Sequence, residues 1–186
     1  RSARQHRRDT ASQGMTLMIE RPCLRLVRRA LAAASLAALA ACTTPPPREQ
    51  QPAFYRSLAR AGARIDAESA AGMISAYRRN HGLPPVTVDP ALQQEAEAEA
   101  RRMAAADRPS SADAVKQRLA GAGIKAPAVN LSAGYHTMAE AFSGWRESPQ
   151  HNRTMLAPGA TRLGIATAYA PGSKYKVYWA LILAGP

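Results

Sequence analysis

Apolar side chains gather on one side of a helix after Asp66, where Ala70, Met73, Ile74 and Tyr77 recur at spacings of three and four. Asp66 is placed to accept a backbone N–H as the cap of a helix starting at Ala67, and Gly82, Leu83, Pro84 and Pro85 stop it. Asp89-Pro90 reads as a cap followed by a first-turn proline, opening a second helix whose buried stripe is Leu92, Ala96, Ala100, Met103 and Ala104. Glu99 stands seven residues after Leu92 and so projects from nearly the same inward side. A third helix over Ala112 to Ala120 presents Val115 and Leu119 and ends at Gly121 and Gly123. Thr137 and Glu140 form a capping box for a fourth helix with Met138, Phe142 and Trp145 inside, and Pro149 begins a last helical turn or two through Met155 and Leu156.

The period then changes from helix to strand. Leu163, Ile165, Thr167 and Tyr169 alternate with small or polar residues, as do Tyr175, Val177, Trp179, Leu181 and Leu183. Pro171-Gly172-Ser173 supplies a turn between the two runs, which predicts an antiparallel hairpin, and a third short strand covers Ala128 to Ser132. Helices on both faces of a small antiparallel sheet make a three-layer α/β/α sandwich, an α/β fold, over residues 66–186.

The first part of the chain obeys a different grammar. From Met18 a basic stretch (Arg21, Arg25, Arg28, Arg29) leads into an apolar run from Ala30 to Ala41 and then Cys42, the layout of an export signal over residues 18–41. As a helix that run would reach about 18 Å, against a hydrocarbon core of about 30 Å, so it is too short to span a bilayer. Leu39-Ala40-Ala41-Cys42 resembles the lipobox of bacterial lipoproteins, which implies cleavage after Ala41 and an acylated Cys42 holding the protein on a membrane. Thr43 is not Asp, and by resemblance to the Gram-negative sorting pattern this implies the inner face of the outer membrane. Residues 1–17 have no role in that scheme and read as upstream sequence, while the proline-rich stretch after Cys42 predicts a lipidated, extended tether over residues 42–65.

Charge changes the picture less than its total suggests. The net charge is +12 over 186 residues, but residues 1–42 hold eight arginines and two acids, leaving +6 for the rest. The remaining basic residues, among them Arg78-Arg79, Arg101-Arg102, Lys116, Arg118, Lys174 and Lys176, form no block and are expected on solvated faces, which argues against nucleic acid as a partner. Of the two cysteines, Cys23 falls inside the export signal, so the domain is expected to carry no disulfide.

Ala76 to Val86, Asp89 to Leu92, Asn130 to Tyr135, Trp145 to Arg153, Thr161 to Ala166 and the closing Tyr178-Trp179 run resemble, in this order, bacterial members of the CAP superfamily (cysteine-rich secretory proteins, antigen 5, pathogenesis-related 1). The resemblance implies an α/β/α sandwich with a central cleft, in many members ringed by two histidines and two glutamates that hold a divalent metal. It places Glu99 where the family's second helix carries a histidine and Val129 where its Gly-Glu-Asn glutamate stands before Asn130, and it matches His151 to the histidine of the bacterial Ser-Pro-Gly-His motif, with Gln150 in place of glycine. Glu99, Asn130 and His151 are thus the expected cleft residues. Two ligating groups fall short of the three or four donors of a preformed zinc site, so no metal or cofactor is expected. A half-buried carboxylate needs a donor, and pairing of Glu99 with His151 is the favoured expectation. His136 and His81 are expected as surface residues.

These readings predict a membrane-anchored envelope lipoprotein whose degenerate, non-catalytic domain is a binding or structural module, engaging an apolar ligand, a glycan or an envelope protein. The alternative is hydrolysis, with Ser148 as nucleophile and His151 as base, or with a metal-activated water near His151. Ser148 before Pro149 suits a helix cap, and neither Gly-x-Ser-x-Gly nor His-Glu-x-x-His occurs.

Overall fold

The computed structural model describes residues 51–186. The expected upstream segment, export signal and Cys42, with the tether as far as residue 50, lie outside the described residues. Five helices form where the sequence pattern predicted them, three of them from the predicted caps: α1 (Ala67–Asn80), α2 (Pro90–Ala106), α3 (Ala112–Gly121), α4 (Met138–Glu147) and α5 (Pro149–Met155). Asp66 accepts from the Ser69 N–H at 3.0 Å, Asp89 from Leu92 at 2.9 Å and Ser111 from Ala114 at 3.4 Å. Thr137 and Glu140 close the reciprocal capping box on α4. After α2 the chain turns through Asp107 at φ 51°, a left-handed conformation in which its carboxylate accepts from the Tyr178 hydroxyl.

Four strands, β1 (Thr87–Val88), β2 (Ala128–Ala133), β3 (Arg162–Tyr169) and β4 (Val177–Ala184), make one sheet in the order β1-β3-β4-β2. The hairpin β3–β4 and the pair β2–β4 are antiparallel, as expected, but β1 joins β3 in parallel, so the sheet is mixed and not purely antiparallel. The whole run from α2 to α5 separates β1 from β3, which supplies the long crossover that a parallel pair requires. The expected strand from Tyr175 begins instead at Val177, because Lys176 takes φ 65° and keeps Tyr175 in the turn.

Strand β4 is buried along its whole length. Val177, Trp179, Leu181 and Leu183 enter one core with α1, α4 and α5, including Ile74, Trp145 and Met155. Tyr178, Ala180, Ile182 and Ala184 enter a second core with α2 and α3, including Leu92, Met103 and Leu119. The result is the three-layer α/β/α sandwich. At the Trp145–Trp179 contact the rings meet edge to face at 5.8 Å, and each indole N–H is satisfied, by the Ser132 hydroxyl and the Tyr135 carbonyl. Helix α2 lies so close to β3 that a Cβ on Gly164 would fall 2.1 Å from the Leu92 carbonyl oxygen.

The stretch expected as extended tether is packed structure over its second half. A 3-10 turn at Ala53–Tyr55 leads to Leu58, which is 6% exposed and donates its N–H to the His136 carbonyl at 2.7 Å. Phe54, Ala59, Ala63 and Ile65 pack against the α1/α4/α5 core. Its apolar residues give this strap a surface to bury, so folded structure starts upstream of residue 66.

Candidate functional site

Glu99 faces inward from α2, 1% exposed, as its spacing from Leu92 required. It does not pair with His151. Its Oε2 accepts from Arg102 Nη2 at 2.6 Å and Nε at 3.0 Å, one turn along the same helix, and from Arg118 Nη2 on α3 at 2.9 Å. Arg118 spans on to Glu95 at 2.6 Å, so the guanidinium staples α3 to α2. Arg102 and Arg118, expected on solvated faces, thus turn their charged ends onto an inward carboxylate while their stems stay partly exposed. Burial pushes the Glu99 carboxyl up, but the Ser110 hydroxyl, Arg102 and Arg118 outweigh it and hold it below its ordinary value.

Asn130 and His151 sit on the other face of the sheet. Asn130 pairs with Leu181, whose side chain belongs to the α1/α4/α5 core, and its Nδ2 donates to the His151 carbonyl at 2.9 Å, tying β2 to α5. Its Oδ1 and the Nδ1 of His151 are buried without a hydrogen-bond partner. Burial lowers the pKa of His151, favouring the neutral ring. Val129, at the position of the family's glutamate, packs in the opposite core beside α2 and α3. The expected cleft set therefore divides: Asn130 and His151 meet, and Glu99 lies across the sheet from them.

A divalent ion does not fit these groups. Glu99 is already neutralised by two guanidinium groups, His151 and Asn130 are on the far face, and among the described residues no three His, Cys, Asp or Glu side chains converge. Ser148 stands at the N-cap position of α5 without a side-chain cap bond and makes no hydrogen bond to His151, whose Nδ1 is enclosed. His81 and His136 are exposed, as expected: His81 Nδ1 lies 2.9 Å from the Tyr77 carbonyl, and the His136 N–H donates to Glu140.

One buried residue escaped the sequence reading. Arg78, expected on a solvated face, is 0% exposed and donates to the carbonyls of Pro84, Met155, Ala157 and Ala160 at 2.8 to 3.0 Å. It knots the end of α1 to the end of α5 and the approach to β3. Its position four residues after Ile74, on the inward stripe, was the available signal. Beside it, the Tyr77 hydroxyl donates to Asn152 at 2.9 Å and the Tyr77 ring meets Phe142 edge to face, closing α1 onto α4 and α5.

Glu99 and His151 act on the pH dependence with the same sign. Glu99 has a folded-state pKa below its ordinary 4.5, so its contribution to stability is present above that value and is lost as pH falls through the folded pKa. His151 has a folded-state pKa below 6.5, so the unfolded chain binds the proton first and stability also falls as pH drops below 6.5. Urea midpoints measured between about pH 7 and 3 should decline in two steps. Glu99→Gln should shrink the acid step, to which Asp66 and Asp89, held below their ordinary value by the Ser69 and Leu92 N–H groups, also contribute, and His151→Phe should flatten the neutral one. A His151→Phe profile that retains the neutral step would disprove its assignment.

The cysteine-rich secretory protein (CAP) family profile matches residues 71–183. Among solved structures the chain is similar to an extracellular protein containing an SCP domain from Bacillus anthracis, with 18% identity and a TM-score of 0.53 over 64% of this chain and 40% of that one. It is similar to a cysteine-rich secretory protein from Staphylococcus aureus, with 18% identity and a TM-score of 0.54 over 75% and 40%. An outer surface protein from Borrelia burgdorferi matches with 13% identity and a TM-score of 0.55 over 67% of this chain and 98% of that one. The match spans 40% of the length of each of the first two proteins, and at these identities the likeness speaks for the fold. No curated protein sequence matches. The profile match, joined to the mixed sheet between two helical layers, assigns this chain to the cysteine-rich secretory protein, or CAP, family.

Proposed function

We propose that the chain is a bacterial envelope lipoprotein, held by acyl groups on Cys42 at the inner face of the outer membrane, whose CAP domain binds or scaffolds and does not catalyse. The observation that carries the non-catalytic reading is the separation of Glu99 from His151 by the sheet, with Glu99 saturated by Arg102 and Arg118. A carboxylate so neutralised is a poor base and a poor ligand. Likeness to an extracellular protein and to an outer surface protein supports an envelope setting. The spacing of basic stretch, short apolar run and Leu39-Ala40-Ala41-Cys42 supports the anchor. The ligand is an apolar molecule, a glycan or an envelope protein, with no nucleic acid.

For the anchor, Cys42→Ala should move the protein from the membrane pellet to the soluble fraction. Undiminished pelleting would refute the lipid assignment. For the domain, heat unfolding should be unchanged by zinc or by a chelator. Stabilisation by zinc that Glu99→Gln abolishes would overturn the non-catalytic module in favour of a metal centre.

A further inference from the structure

Strand β3 is covered on its outer side for only part of its length. Thr87 and Val88 of β1 pair with Arg162 and Leu163, and the chain then departs into α2. The next outward rung is taken by a side chain: Gln93 Nε2 donates to the Ile165 carbonyl at 2.9 Å, and the Ile165 N–H donates to Gln93 Oε1 at 3.0 Å. This primary amide does what a peptide unit of a neighbouring strand would do. Outward groups recur every second residue in a strand, so the N–H and C=O of Thr167 face the same edge, where no such surrogate among the described residues reaches them.

That edge is the floor of a groove of about 330 Å³. One wall is the strap at residues 62–65, on the side of the α1/α4/α5 core, and the other is α2 with Gln93, Glu97 and Arg101. Ala166 and Ala168 turn only methyl groups toward the α2 wall, leaving width for a chain. The rim is net positive. Arg101 is 3.6 Å from Glu97 and 67% exposed, and Arg64 is exposed and makes no ion pair among the described residues.

We propose that this groove binds an extended acidic segment of a partner protein, which adds to β3 as a strand beyond Gln93. Main-chain bonds to Thr167 hold the segment, and its carboxylates meet Arg64 and Arg101. An unpaired edge calls for a backbone, the amide of Gln93 shows the rung geometry that backbone would continue, and the rim selects its charge. The inference rests on the binding-module reading above and gives it a face and a partner chemistry. It involves neither Glu99 nor His151, and the anchor at Cys42 stands or falls separately.

The test uses the full 15N-labelled chain in detergent and a short blocked peptide in which Val and Thr alternate with Glu. The peptide should shift the amide signals of Thr167 and Tyr169 and slow hydrogen exchange at Thr167 by about tenfold or more. N-methylation of its alternate amides, or Lys in place of Glu, should weaken binding about tenfold. The double variant Arg64→Glu, Arg101→Glu, which alters only exposed side chains, should reverse the preference and take the Lys peptide. Absence of binding, equal binding of the N-methylated peptide, or shifts centred away from β3 would each overturn the proposal. So would protection of Thr167 that rises with protein concentration without peptide, since the edge would then be pairing with a second copy. Cys42→Ala protein that still pellets yet binds the peptide would refute the anchor and leave this inference standing.

Discussion

Gly164→Ala is expected to destabilise the domain by about 3 kcal/mol or more, read as a lowered urea midpoint with an unchanged slope. The added Cβ would lie 2.1 Å from the Leu92 carbonyl oxygen, 2.2 Å from its carbon and 2.6 Å from the Gln93 nitrogen. All three are backbone atoms and cannot rotate aside. Relief would require α2 to lift from β3, which would pull Leu92 out of its core and break the Gln93 bonds to Ile165. Gly172→Ala is the control, because nothing lies within 4 Å of the place its methyl would take, and its effect should stay within about 0.5 kcal/mol. Equal midpoints for the two variants would show that α2 does not press on β3 as described.

Arg78→Met should lower stability by about 3 to 5 kcal/mol, since each buried carbonyl left without its donor costs about 1 to 3 kcal/mol and relief from burying a guanidinium without a counter-ion offsets part of the sum. Methionine keeps much of the unbranched stem but leaves the carbonyls of Pro84, Met155, Ala157 and Ala160 without their donor. Arg78→Lys should recover less than half of the loss, since one ammonium cannot reproduce the planar fork that serves four acceptors. Arg79→Met, one residue away and exposed, should change little. If Arg78→Met and Arg79→Met unfold alike, the knot contributes nothing.

Local chemistry made much of this fold readable in advance. Asp66, Asp89 and the pair Thr137 and Glu140 mark helix starts because a cap bond spans only three residues, so cause and effect lie side by side in the chain. What sequence left hidden depends on distant neighbours. Two residues of β1 carry too little alternation to register as a strand, and they become one through partners more than seventy positions away. Arg78 reads as solvated beside Arg79 until the ends of α1 and α5 converge around it. Glu99 and His151 show the same limit within the candidate site. Periodicity told correctly that Glu99 points inward, but inward has two meanings in a three-layer fold, and helical spacing does not say which face of the sheet a helix covers. The strap at residues 53–65 was obscured by the prolines that precede it, Pro45 to Pro47 and Pro52, which signal extended backbone leading into a stretch that itself holds none.

Strand β4 has a consequence for the order of folding as the chain emerges from whatever it threads through. Every other element precedes it along the chain, yet both hydrophobic layers close on its alternate side chains. An emerging polypeptide that has released α1 to α5 and β3 still has nothing to complete either layer, and long-range pairing is the slow part of folding. The threading of this chain therefore stays ahead of its collapse until residues 177–184 emerge, after which both halves can set in a single step.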